Sequence, residues 1–482
     1  MLEARAHSQL KALLRHEGGQ RWPHHLTLSR LVARSLRRCD HTLVRLVPGS
    51  DPSWLISLLV PLALSEASLA IVLSDVMRRR LLRVELPRLT AADRSLALAC
   101  VEGADTADGR VWLLNHQELV QAWQANQLGQ RQLVIPEVEQ LDRRLRQALE
   151  IRLDPCHWDQ LLRAHPQAES SLLELHARLS RRVMRHPKSP HGRVPLSPED
   201  EAPLRQLLAL LGSLPKPWRD WLRHGDEGWT SWAWRDDRLL HWSLHRQPLE
   251  PLPCLSGLLD NRGAVMVGQL SPVSDPPGYE LGLQPQVCVT LGDPPLADPL
   301  PIYAPWRQPL PNSPLFAEHL LDQSRRLVLG QEQLSVVLID DEGLRLGLTS
   351  ALAAEFGRRV VHESTAPEPN GVLCCRWDWW LEHQDHLPLP GQLAIALLPI
   401  ASLEDPLTAA QVQTLRRQGR DWFRERLLPD SLTRLQLAVA SLRRSGGRLA
   451  ILDGRLRGRS WGRQVLQTLE PWLPLSRLAL KR

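Results

Sequence analysis

LVIPEVEQL, residues 133–141, opens on three aliphatic side chains in a row and closes around two carboxylates, Glu137 and Glu139. A short, continuous apolar run stopped by a proline reads as a strand buried on both faces, as in a parallel sheet. Carboxylates at such a strand end are placed to hold magnesium or polarise a water. The first position after the run, where a metal-side carboxylate belongs, is Pro136. Glu137 stands in the place of a water-orienting base.

Similar runs extend outward from this one. HTLVRLV (41–47), SLAIVLS (68–74), VWLLN (111–115) and GAVMVGQL (263–270) form a first block. SVVLID (335–340), RVVHE (359–363), GVLCC (371–375), QLAIALLP (392–399) and RLAILD (448–453) form a second. Amphipathic stretches with helical spacing separate them: 2–40, 316–330, 341–356, 407–426 and 430–444. Strands alternating with helices predict an α/β protein with two lobes, each built on a mainly parallel sheet. Residues 1–140 are expected to form the first lobe and 141–228 a helical insertion, with 229–270 returning to the first lobe. A proline-rich linker is expected over 271–315, followed by the second lobe over 316–482. Ligands of open parallel sheets bind beyond the carboxyl ends of the strands, which is where the chemistry should be sought.

Composition narrows the class. With 482 residues, 43% hydrophobic and 23% charged, the chain should fold into two or three domains with full cores. Its longest apolar run, Trp54 to Leu64, is about half of the roughly 20 residues a membrane span requires. The first residues lack the apolar core of a signal peptide, so a cytoplasmic protein with no membrane role is expected. Seven cysteines show no metal-binding spacing and read as reduced thiols, mostly in the core, and no metal site is expected. The net charge of +6 leans toward an anionic partner. The basic residues are nearly all arginine, with lysine only at Lys11, Lys188, Lys216 and Lys481.

That scarcity bears on VPGSDPSWLISLLVPLAL (47–64), a glycine-bearing loop between a strand and an apolar helix. Gly49, Ser50 and Ser53 are suitable for contacts to phosphate. A working phosphate loop also needs a lysine to reach the β and γ phosphates, and glycines whose N–H groups converge on them. Here Asp51-Pro52 fills the slot. The alternative is a plain turn.

The order of several stretches is informative: WPHHLTLSRLVARSL (22–36), VWLLNHQELV (111–120), VIPEVE (134–139), GAVMVGQL (263–270) and CCRWDWWLEHQDHLPLPG (374–391). After them come LLPIASLEDPL (397–407), LPDSL (428–432), LAVASLRR (437–444) and RLAILDGRLRGRSWGR (448–463). This order resembles the DinG-type branch of the superfamily 2 DNA helicases, relatives of the XPD helicases, over nearly the whole chain. The resemblance implies two RecA-like lobes, ATP with magnesium as cofactors and single-stranded DNA as partner. It places His25 in the adenine-side glutamine slot, Asn115 and His116 in a threonine-asparagine-histidine segment, and Pro136-Glu137-Val138-Glu139 at the DEAH box. Val267-Gly268-Gln269 stands at the serine-alanine-threonine motif, and Trp380 matches an aromatic motif whose acidic residue is replaced by Leu381. Leu437–Arg444 stands where a glutamine-glycine-x-glycine-arginine-x-x-arginine helix is expected, so that only its second arginine, Arg444, is retained.

Positions that build sheets and turns match the resembled pattern, whereas positions that touch nucleotide depart from it. The expectation is therefore a helicase-like protein without ATPase activity and with no cofactor, retained to bind nucleic acid or a protein partner. Glu137 and Arg444 are the candidate catalytic remnants; Gly49, Ser50, Ser53 and His25 are the candidate nucleotide-side residues. One alternative is an active ATP-dependent DNA helicase with variant motifs, and another is an interaction scaffold with no nucleic-acid role. Tryptophans crowd residues 218–242 and 377–380. They serve either packing or stacking on single-stranded bases.

Overall fold

The structure, a computed structural model, describes the chain except residues 17–21, 48–49, 104–108, 188–191, 226, 237–238, 256, 261, 270–284, 293–297, 330 and 477–482. The strands, in chain order, are β1 (His41–Leu46), β2 (Leu69–Val72), β3 (Cys100–Glu102), β4 (Val111–Leu114), β5 (Gln132–Pro136) and β6 (Ile151–Leu153). They continue as β7 (Arg193–Pro195), β8 (Trp229–Asp236), β9 (His241–Pro248), β10 (Ala264–Gln269), β11 (Val287–Leu291) and β12 (Leu300–Tyr303). The last six are β13 (Leu334–Leu338), β14 (Val360–His362), β15 (Val372–Cys375), β16 (Pro390–Ile395), β17 (Arg448–Ile451) and β18 (Trp472–Leu475).

Two seven-stranded sheets have the orders β11-β1-β10-β5-β2-β4-β3 and β14-β15-β13-β16-β17-β12-β18. The pairs within both are parallel. The α/β reading with two RecA-like lobes holds. Its physical basis is visible in the second sheet, where alternate residues feed different cores. Leu334, Val336, Leu338, Leu373, Cys375, Leu393, Ile395, Leu449 and Ile451 pack in one cluster. Val337, Ile339, Val372, Cys374, Ala394, Ala396, Ala450 and Leu452 pack in another. Both faces are covered, which is why the strands read as continuous apolar runs rather than as alternation. Helix Leu55–Leu64 is apolar all round for the same reason, with Leu55 through Leu62 buried.

The chain divides into two compact units, residues 1–141, 257–400 and 428–482 in one and 142–256 with 401–427 in the other. The first holds both parallel sheets. The second is more than helical, because a four-stranded sheet of order β6-β9-β8-β7, antiparallel throughout, runs among its helices. Its core gathers Trp158, Trp218, Trp221 and Trp242 with leucines, and Trp158 meets Trp218 edge-on at 4.7 Å. Packing therefore claims most of the tryptophans in this stretch. Arg246 is buried there too, held by Glu201 at 3.2 Å and lying over the Trp221 ring.

Three expectations about segment membership are corrected. Residues 229–248 were assigned to the returning first lobe, but β8 and β9 pair with β7 and β6; the return begins with β10. Helix Pro406–Arg417, expected in the second lobe, belongs to the unit with the antiparallel sheet, where Asp405 caps it and also pairs with Arg193. Of the expected linker, β11 and β12 are sheet strands, while 271–284 and 293–297 lie outside the described residues. The cause is shared: β11 and β12 sit near sheet edges and are short, so proline and polar residues around them mask a weak apolar signal. The cysteine expectation is also corrected, since Cys374 and Cys375 are buried but Cys39, Cys156 and Cys288 are exposed. No helix among the described residues is long and apolar enough to cross a membrane.

Candidate functional site

The carboxyl ends of the first sheet, together with residues 381–386 and 437–444, enclose a cavity of about 70 Å³. Pro52, Glu137, Glu139, Gln269, Asp385, His386 and Arg444 are among its walls. The sequence-predicted pair Glu137 and Arg444 thus meet in one cavity although they are distant in the chain.

The loop after β1 shows what Asp51-Pro52 does. Asp51 Oδ1 accepts a hydrogen bond from Ser53 N at 2.8 Å, and Pro52 opens the turn that leads into helix Leu55–Leu64. An aspartate cap followed by proline is a strong helix start, because the cap satisfies an orphan N–H and proline has none to leave unsatisfied. Arg80 closes the position from the other side: its guanidinium donates to Pro52 O at 3.3 Å and pairs with buried Glu85 at 3.1 Å. Ser50 is buried, and its hydroxyl donates to Val47 O at 2.8 Å. Gly49 lies outside the described residues.

His25 is also engaged internally. It is 1% exposed, its Nδ1 lies 2.6 Å from Ser57 Oγ, and its Nε2 lies 3.4 Å from Ser53 Oγ. Trp22 packs edge-on against its ring. Asn115 serves as a helix cap, exchanging bonds with Glu118 in a capping box.

At the end of β5, Glu137 takes a left-handed backbone conformation (φ 98°) that residues other than glycine rarely adopt. Its N–H donates to Val267 O at 2.9 Å, and its carboxylate accepts from Ser74 N at 3.0 Å and Ser74 Oγ at 3.1 Å. Glu139 turns back over β10, where its Oε2 accepts from Gln269 N at 3.2 Å. A Cβ on Gly268 would stand 2.4 Å from that oxygen and 3.2 Å from Val138 N, so a larger residue there would have to displace the Glu139 carboxylate and press on the turn. Burial, then the neighbouring Glu137 charge, push the Glu139 carboxyl up to about 8.

A folded-state value raised above the unfolded one means that the native protein binds the proton more tightly. Stability from this group is full below about pH 4.5 and declines as pH rises toward about 8. Glu139→Gln is therefore expected to remove that decline. The difference in unfolding free energy between variant and wild type, from urea titrations, should grow from pH 5 to pH 8 by on the order of a few kcal/mol. A pH-independent difference would show that Glu139 ionises freely in the folded state.

On the opposite wall, Arg444 forms an ion pair with Asp385. Ser441, which stands where the resembled pattern has its first arginine, is fully buried and donates to Gln384 Oε1 at 2.9 Å. Trp380 is buried and donates through Nε1 to Ala438 O at 2.9 Å, fixing the helix before it. The sequence reading missed Ser74, Arg80, Asp385 and Gln384. Each is tens of residues from the group it holds, with no spacing rule to connect them. Among the described residues, no group of three or more His, Cys, Asp or Glu side chains is arranged to hold a metal ion.

No protein-family model and no curated protein sequence matches the chain. Solved structures do. The fold is shared with the two-lobed helicases of the XPD kind. An apo XPD superposes with a TM-score of 0.61 at 12% identity, covering 93% of this chain and 100% of that one. An XPD helicase gives 0.60 at 12% identity over 94% and 99%, and Xpd4 of S. tokodaii gives 0.55 at 12% identity over 92% and 97%.

Proposed function

We propose that this chain is a helicase-like protein that binds single-stranded nucleic acid and does not hydrolyse ATP. The observation that carries the second half is that the residues at the nucleotide positions are engaged by other groups of the chain. Asp51 caps a helix, Arg80 holds Pro52, Glu137 accepts from Ser74, and Arg444 pairs with Asp385. A nucleotide triphosphate with magnesium does not fit this set. The cavity of about 70 Å³ is well below the roughly 300 Å³ at which ligand pockets begin. No lysine lies between Lys11 and Lys188, and Pro136 supplies no ligand for a metal.

The first half is supported by the net charge of +6, carried almost wholly by arginine, and by a fold shared with proteins named as helicases. Arginine suits phosphate recognition because its guanidinium offers a fork of donors. Affinity for a fluorescent single strand should fall with salt at a log–log slope of about −0.7 per phosphate neutralised. Anisotropy titrations across a salt series measure it. Absence of binding even at low salt would move the reading to a protein-interaction scaffold.

A further inference from the structure

A second concavity, of about 980 Å³, opens beyond the carboxyl ends of β12 and β17. Trp306, Arg307, Leu310, His319, Arg457 and Arg459 line it. Trp306 is 84% exposed, against the buried state of Trp377 and Trp380 in the same lobe. Exposing so large an apolar ring to water is unfavourable, and contiguous exposed apolar surface of this kind marks binding sites.

The exposure is built into the fold. Gln308 Nε2 donates to Ile451 O at 2.9 Å, tying the loop after β12 to the end of β17. A Cβ on Gly454 would meet Pro309 O at 2.4 Å, so the same loop lies directly on the turn that follows β17. One face of the indole is already set: the Arg457 guanidinium carbon lies 4.2 Å from the ring centroid, and Arg457 Nη2 donates to Ala304 O at 3.0 Å. The bond to Ala304 O tethers the guanidinium beside the ring. No other aromatic ring lies against Trp306 among the described residues. Arg307 and Arg459, both exposed, have no ion-pair partner among the described residues. Glu318 and Asp322 also border the concavity, and Asp322 is engaged by Arg326 at 3.0 Å.

We infer that Trp306, backed by Arg457, is a stacking platform for a base of a single-stranded nucleic acid, with Arg307 and Arg459 taking the flanking phosphates. An aromatic face beside arginines is the chemistry that binds a strand without reading its sequence. This inference rests on the proposal that the chain binds nucleic acid.

The test uses the full chain and a fluorescein-labelled oligo(dT) strand, followed by anisotropy. Trp306→Ala should weaken binding about tenfold while leaving the salt slope unchanged, because stacking releases no counterions. Trp306→Phe should recover most of the loss. Arg459→Ala should instead flatten the slope by about 0.7. Because Trp306 is exposed, these substitutions leave the cores intact, and the urea midpoint of each variant confirms it. If wild type and Trp306→Ala bind the strand equally, the platform is refuted while nucleic-acid binding stands. If the wild type does not bind the strand, the proposed function falls and the platform with it.

Discussion

Steady-state phosphate release by the purified protein is expected to match the protein-free background, with or without single-stranded DNA. Phosphoryl transfer depends almost wholly on positioning and charge stabilisation. On the proposed reading, Pro52 stands where the resembled pattern has its lysine, Pro136 where it has its metal-side carboxylate, and the buried Ser441 where it has the first arginine of the final helix. Loss of a transition-state arginine alone costs on the order of a thousandfold or more in rate. Combined losses are not additive, but they leave no partial mechanism for the remaining groups to sustain. Pro52→Lys by itself should not restore turnover. Asp51 would still cap the following turn and crowd a phosphate, and Arg80 would still hold the backbone carbonyl of residue 52. DNA-stimulated turnover that disappears in Glu137→Gln would overturn this expectation and favour an active enzyme with substituted motifs.

Asp453→Ala is expected to lower the stability of the unit that contains the parallel sheets by about 2–4 kcal/mol. Asp453 is fully buried at the end of β17. Its Oδ2 accepts from Leu398 N at 2.8 Å, joining the ends of β16 and β17, and the same carboxylate receives the Arg455 guanidinium at 2.7 Å. Truncation leaves the buried Leu398 N–H without its acceptor and strips the Arg455 guanidinium of its carboxylate, leaving it the Leu398 carbonyl at 3.2 Å. The upper end of the range for broken buried pairs is not reached, because Arg455 is partly exposed and can turn to water. Asp453→Asn, which keeps an acceptor for Leu398 N, should lose less. Urea unfolding followed by fluorescence measures both; a loss below about 1 kcal/mol for the alanine variant would show that the clip is dispensable.

The same clip explains why part of the fold was legible. Leu-Asp-x-Arg at 452–455 is a local device: a strand end, a buried carboxylate and an arginine two residues on that closes over it. Asp51-Pro52 is likewise local, and helix-start chemistry accounts for both residues. Strands β1, β5, β10, β13, β15, β16 and β17 could be read because burial on both faces demands continuous apolar sequence. By contrast, β12 is four residues long and carries a proline, so its place between β17 and β18 had no signature. The packing of helix Pro406–Arg417 with β7 and β8 joins segments that are far apart in the chain, and amphipathic spacing does not name the surface an apolar face will choose.

By itself, the sequence determined the α/β class and the two parallel-sheet lobes, since each follows from residue type and short spacing. Only the tertiary structure decided what the candidate nucleotide-side residues bond to. Ser74 turned out to hold Glu137, Asp385 to hold Arg444, and Ser57 to hold His25. It also decided that Trp306 stands in water while Trp377 and Trp380 are enclosed. The physical reason is that a polar group's partner and an aromatic ring's surroundings are set by which distant segments the sheet order brings together. Composition and periodicity carry information only along the chain.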